Sequence, residues 1–188
     1  EDAKKLPPIK QIFGNYWLTG QVAILAGNTG VGKTLLAVSF ADSISKGYRK
    51  LLEQRIEISD KVLYFDFELS ERQFLKRYNN YKFSENFLRA ELNPFYSGNK
   101  GVTFDYIYHK MVETETNILI LDNISALSLK NTEDTQVAID IMRGLKLLSR
   151  MGKSCLVLAH TPKFSETENI KADHVAGSKY LTNFADSV

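Results

Sequence analysis

The sequence holds a single cysteine, Cys155, among 188 residues, so no internal disulfide can form. That thiol lies in the apolar run CLVLA, where a small buried side chain is expected rather than a reactive one. No stretch reaches the roughly 18 apolar residues that suggest a membrane-spanning helix. The polar start EDAKK, followed by LPP, has no signal-peptide apolar region. These absences predict a soluble, cytoplasmic protein without a membrane partner. Charge of one sign is also scarce: 24 Lys and Arg against 22 Asp and Glu leave a net +2. That balance argues against wholesale electrostatic binding of nucleic acid but permits a local basic loop. Only three histidines accompany the cysteine, without ligand spacing, so no zinc-type site is expected. Internal repeats, low-complexity tracts and long like-charge blocks are absent.

What is present is a pattern of short apolar runs alternating with helical periods, in a chain long enough for one α/β domain and too short for two. Residues 1–19, with Pro7 and Pro8, read as an irregular lead-in that packs Ile12, Phe13, Tyr16, Trp17 and Leu18 on a domain spanning 20–188. The runs QVAILAG (21–27), KVLYFDFE (61–68), NILILDN (117–123) and KSCLVLAH (153–160) read as buried strands. Helices are expected over Lys33–Lys46, Ser70–Tyr81, Thr103–Glu113 and Thr132–Met151, with Ser70 as an N-cap. The charged segment between Lys46 and Lys61 reads as a helical surface excursion, and NPFYSG as a short strand ending at Gly98. This alternation implies a mostly parallel sheet covered by helices on both faces. Residues 161–176, TPKFSETENIKADHVA, read as a long loop and Ser178–Asp186 as a short helix. The sequence stops at Val188, where a further strand would begin, so C-terminal strands are expected to be missing.

Between the first strand and the first helix stands GNTGVGKT: Gly27, Asn28, Thr29, Gly30, Val31, Gly32, Lys33 and Thr34. Glycines let successive backbone N–H groups point inward around a phosphate, Lys33 adds charge, and the following helix directs its positive N-terminus at the same anion. Thr34 can place its hydroxyl on a Mg²⁺ bridging the β- and γ-phosphates. The full G-x-x-x-x-G-K-T between a strand and a helix is the phosphate-binding P-loop in its required context. Asp122, after ILIL, would emerge at the same sheet edge and hold the Mg²⁺ through its water shell. Hydrolysis further needs a group that orients and deprotonates water. The residue after Asp122 is Asn123, not an acid, so the candidates are Asp66 and Glu68. Glu68, nearer the strand tip, is favoured, although either acid could simply cap the helix near Ser70. His160 ends the fourth strand, close to the γ-phosphate, and suits a sensor. No NKxD-type guanine motif is apparent, so ATP is preferred to GTP.

With these motifs placed, residues 14–188 resemble the RecA-like ATPases, and more closely the RepA-like and DnaB-type hexameric helicase motor domains. The resemblance implies that Glu68 is the catalytic base, Asp122 the Walker B aspartate and His160 the fourth-strand sensor, so that Glu68, Lys33 and His160 form the catalytic set. AGSKYLTNFADSV looks like the Gly-Ser segment, helix and Ala-Asp that follow the mobile loop of the RepA-like branch. The resemblance also implies that residues 161–176 face single-stranded DNA in a ring or filament of identical subunits, with Lys163 and Lys171 meeting phosphates and Phe164 stacking on a base. Basic residues that reach a neighbour's γ-phosphate would lie beyond Val188. Three functions fit: a replicative helicase motor, a RecA- or RadA-like repair ATPase without unwinding, and an ATP-dependent switch that binds no nucleic acid.

Overall fold

A computed structural model describes residues 8–91, 104–124, 135–161 and 185–188. Its centre is a parallel sheet of five strands: β3 (Val22–Gly27), β6 (Val62–Asp66), β7 (Phe87–Glu91), β8 (Ile118–Asp122) and β9 (Ser154–His160), in the spatial order β3-β9-β8-β6-β7. β8 and β9 are rich in Leu, Ile, Val and Ala, and nearly every residue of β6, β8 and β9 is buried. Such near-continuous apolar runs are what a strand covered on both faces requires.

Alternate residues serve opposite faces. Leu63 and Phe65 of β6, with Leu119 and Leu121 of β8, pack with Ile107 and Met111 of α3 (Phe104–Glu113) and with Met142, Leu145 and Leu148 of α4 (Thr135–Arg150). Val62, Tyr64, Ile118 and Ile120 pack on the other face with Ala37, Phe40, Ala41 and Ile44 of α1 (Lys33–Ser45). The fold is therefore the expected α/β layer structure of a RecA-like P-loop domain. Because all five strands run the same way, Gly27, His160, Asp122 and Asp66 end at one edge. The ladder sets Gly27 beside His160 and Asp66 beside Asp122.

The structure corrects several expectations. The lead-in is not irregular throughout: β1 (Gln11–Phe13) and β2 (Trp17–Leu18) form an antiparallel pair that buries Ile12 and Trp17, while Tyr16 stays exposed. The segment read as a helical excursion contains a hairpin, β4 (Lys50–Leu51) and β5 (Gln54–Arg55), whose turn residues Leu52 and Glu53 have φ of 47° and 62°. Two central residues with positive φ make the tight turn that matches strand twist, and Ile56 is drawn into the core next to α1. The helix after Ser70, α2 (Glu71–Arg77), stops four residues early. Its start is as expected, with a capping box between Ser70 and Gln73.

β7 has no counterpart among the strands expected from the sequence. Its sequence, FLRAE, is half-buried and charged because it is an edge strand, and the strand expected at residues 93–98 lies outside the described residues. Of the short helix expected over Ser178–Asp186, residues 178–184 are outside the described residues, and Asp186 is not helical. Its N–H donates to Val22 O at 2.8 Å, its carboxylate accepts from Val22 N at 2.8 Å, and Ser187 bridges Ala23 in parallel.

Candidate nucleotide site

The turn from β3 to α1 is shaped by its glycines. Gly30 and Gly32 adopt φ of +84° and +95°, which side-chain-bearing residues rarely do. Gly32 is the N-cap of α1, with no side chain satisfying the first-turn N–H groups and no acid in that turn. Those N–H groups and the helix dipole form a ready anion site. At Gly27 a Cβ would stand 3.2 Å from Val31 Cγ2 and 3.6 Å from Lys33 Cδ, so a side chain there would press on the loop and Val31 would have to shift. Val31 is exposed at the tip of the turn. Asn28 is tied across the sheet edge: its Oδ1 accepts from the Thr161 hydroxyl at 2.6 Å.

A cleft of about 400 Å³ opens beside this turn, and its walls include Thr29, Lys33, Thr34, Glu68, Asp122 and His160. The structure thus brings together side chains that lie up to 131 positions apart in sequence, from Thr29 to His160. The Lys33 ammonium donates to Gly27 O and Asn28 O, both at 2.8 Å, and lies 3.4 Å from His160 Nδ1. Partial burial pushes its pKa below the ordinary lysine value, while the carboxylates of Glu68 and Asp122 pull the other way.

Asp122 is 1% exposed. Burial pushes its pKa up, and hydrogen bonds from the hydroxyls of Tyr64 and Thr34 oppose the rise. Tyr64 donates to Asp122 Oδ2 at 2.7 Å, and burial keeps that phenol protonated by raising its pKa well above the ordinary value. A carboxylate and a hydroxyl held together are the hard oxygen donors that Mg²⁺ selects, so Thr34 and Asp122 fit the metal of a nucleotide site.

Two acids end β6 or follow it, and their surroundings separate them. Asp66 faces inward: Oδ1 accepts from Glu68 N at 3.1 Å and Leu69 N at 2.8 Å, and Oδ2 accepts from Arg89 Nε at 3.0 Å. Arg89 also donates to Leu69 O and lies over the Phe74 ring, 4.5 Å from its centroid. Asp66 is therefore the acid that shapes the turn, sealed from water. Glu68, past the strand end, faces the cleft. Its Oε1 accepts from Asn123 Nδ2 at 2.5 Å and lies 3.2 Å from His160 Nε2. His160 Nε2 is in turn 3.0 Å from Asn123 Nδ2. Unprotonated, that nitrogen accepts from Asn123; carrying a proton, it donates to Glu68. Lys33, His160, Glu68 and Asn123 thus form one chain of polar contacts across the cleft mouth.

Sequence reasoning missed three participants. Arg77 lines the cleft from the last turn of α2. Its signal was present, since it stands three residues after the buried Phe74 and so on the neighbouring part of that helix face. Asn123, which in sequence stands out only as a non-acid after Asp122, holds Glu68. Tyr64 read as one more apolar strand residue. The residues expected to meet DNA, Lys163, Phe164 and Lys171, lie outside the described residues.

A parallel α/β sheet with a glycine turn, a lysine, a hydroxyl and a buried aspartate converging at one edge defines a P-loop ATPase domain. Comparison with family models agrees: residues 1–166 match the AAA domain model, and the chain belongs to that family. No curated protein matches the sequence. Among the described residues no helix is long and apolar enough to cross a membrane.

Proposed function

We propose that this domain, spanning residues 20–188 with the lead-in packed on it, is an ATP-hydrolysing RecA-like motor acting on single-stranded DNA in the cytoplasm. The reading is of the RepA-like replicative helicase kind, working as a homo-oligomeric ring. The observation that carries it is the polar chain Lys33–His160–Glu68 together with the Thr161–Asn28 bond. These contacts connect the phosphate turn to the root of the polar segment 161–176, so a change at the γ-phosphate position is felt where that segment begins.

In this scheme the backbone N–H groups of the turn and the first helical turn cradle the phosphates, and Lys33 neutralises their charge. Thr34 and, through water, Asp122 would hold Mg²⁺, whose charge would stabilise the phosphate oxygens. Glu68, oriented by Asn123, positions a water for in-line attack and takes its proton. His160 stands within reach of Glu68, Asn123 and Lys33, a placement that suits a sensor of the γ-phosphate. Lys163, Phe164 and Lys171 are proposed as the DNA contacts.

Single-stranded DNA is expected to raise ATP turnover, and its binding to weaken steeply with salt, as phosphate contacts require. Phosphate release measured with and without an oligonucleotide, across a salt series, checks this. No stimulation and no salt-sensitive binding would leave the reading of an ATP-dependent switch. Stimulation without strand displacement would favour a repair ATPase over a helicase.

A further inference from the structure

Tyr64, in the middle of β6, packs in the α1-side core with its ring 5.8 Å from that of Phe87, and none of its surface is exposed. A position serving packing alone has no use for a phenol, because a buried hydroxyl must find a partner. Here it finds Asp122, with the hydroxyl 2.7 Å from Oδ2.

Strand pairing explains the reach. β6 and β8 are direct neighbours, Tyr64 stands opposite Ile120, and Ile120 and Asp122 share a face two residues apart. The length of the tyrosine ring carries the hydroxyl from that level to the strand tip. A carboxylate at a strand end can rotate about its last torsion, presenting either oxygen or both to the cleft. A donor fixed from beneath by the packed core restricts that freedom, because Oδ2 is engaged on the protein side while the Thr34 hydroxyl bonds the same carboxylate.

We propose that Tyr64 is a positioning residue for the nucleotide's Mg²⁺: its hydroxyl pins one oxygen of Asp122 and so sets how the aspartate meets the hydrated metal. The proposal rests on the reading of Asp122 as the acid of the Mg²⁺ site. Partners that orient a metal-binding side chain matter nearly as much as the side chain itself, with losses of roughly 10- to 100-fold in metal affinity or activity on mutation.

The test is the affinity of mant-ATP measured in EDTA and in excess Mg²⁺, for the wild type, Tyr64→Phe and Asp122→Asn. The ratio of the two affinities reports how strongly the site couples nucleotide to metal. Tyr64→Phe is expected to lower that ratio by about 10-fold while leaving the affinity in EDTA unchanged. An unchanged ratio in Tyr64→Phe, with the ratio lost in Asp122→Asn, overturns the proposal and leaves the site reading intact. An unchanged ratio in both overturns the Asp122 assignment and the proposal with it. A lower Tm with an unchanged ratio marks a packing role only, which also overturns it. If Tyr64→Phe does not fold, the wild type answers the same question through tyrosine labelled with carbon-13 at Cζ. The Tyr64 resonance is expected to move when Mg²⁺ is added to the ATP complex, and a resonance that stays in place overturns the proposal.

Discussion

Glu68→Gln is expected to bind ATP with wild-type affinity and to lose roughly 10²- to 10⁴-fold in kcat, the usual contribution of a positioned general base. The amide matches the carboxylate in size and still offers an oxygen to Asn123 Nδ2, so the hydrogen bond that places it is retained. What disappears is the capacity to take a proton from water. The phosphate turn, Thr34 and Asp122 are untouched, so nucleotide affinity should hold while hydrolysis fails. Phosphate release and mant-ATP titration on the same preparation separate the two. Unaffected turnover would remove Glu68 from the chemistry. Asp66 could not replace it as it stands, since both its oxygens are engaged and its side chain is wholly buried.

Arg89→Met, on β7, should strongly destabilise the 66–69 turn that its guanidinium holds from the neighbouring strand. The Asp66–Arg89 pair is 3.0 Å apart, with side-chain exposures of 0% and 13%. Breaking a buried pair by deleting one partner costs about 3–5 kcal/mol, because the remaining charge has no compensation. Here it would also release Leu69 O and remove the guanidinium from the Phe74 face. The double variant Asp66→Asn/Arg89→Met should recover much of the loss, because no charge is then stranded and Asn can still accept from the Glu68 and Leu69 N–H groups. Urea denaturation of the three proteins checks this. A single variant that loses under about 1 kcal/mol would place the pair among the weak surface bridges instead.

Much of this was legible in the sequence, for identifiable reasons. The runs VLYFD, ILILD and SCLVLAH are buried on both faces, so composition alone reveals them as strands. The phosphate turn is legible because a tight anion-binding loop admits few residues at its special backbone positions, Gly30 and Gly32 among them. Parallel strands then carry Asp122 and His160 to the same edge without further information. What stayed hidden depends on partners distant in sequence. FLRAE does not read as a strand until Arg89 is seen to face Asp66, and the hairpin at Lys50–Arg55 follows from its turn backbone rather than from an apolar period. The division of labour between Asp66 and Glu68 is likewise invisible in DFE, since it is decided by Arg89 on one side and by Asn123 and His160 on the other. Tyr64 was concealed because an aromatic in a core strand is ordinary, and only the position of its hydroxyl gives it a role.

The claim on which the rest depends is that the cleft beside GNTGVGKT holds ATP through Lys33. Titration calorimetry of ATP with Mg²⁺ into the wild type and into Lys33→Ala tests it most directly. Saturable binding of one nucleotide per chain by the wild type, with binding lost in Lys33→Ala, is the expected result. No binding by the wild type, or equal binding by both proteins, would contradict it.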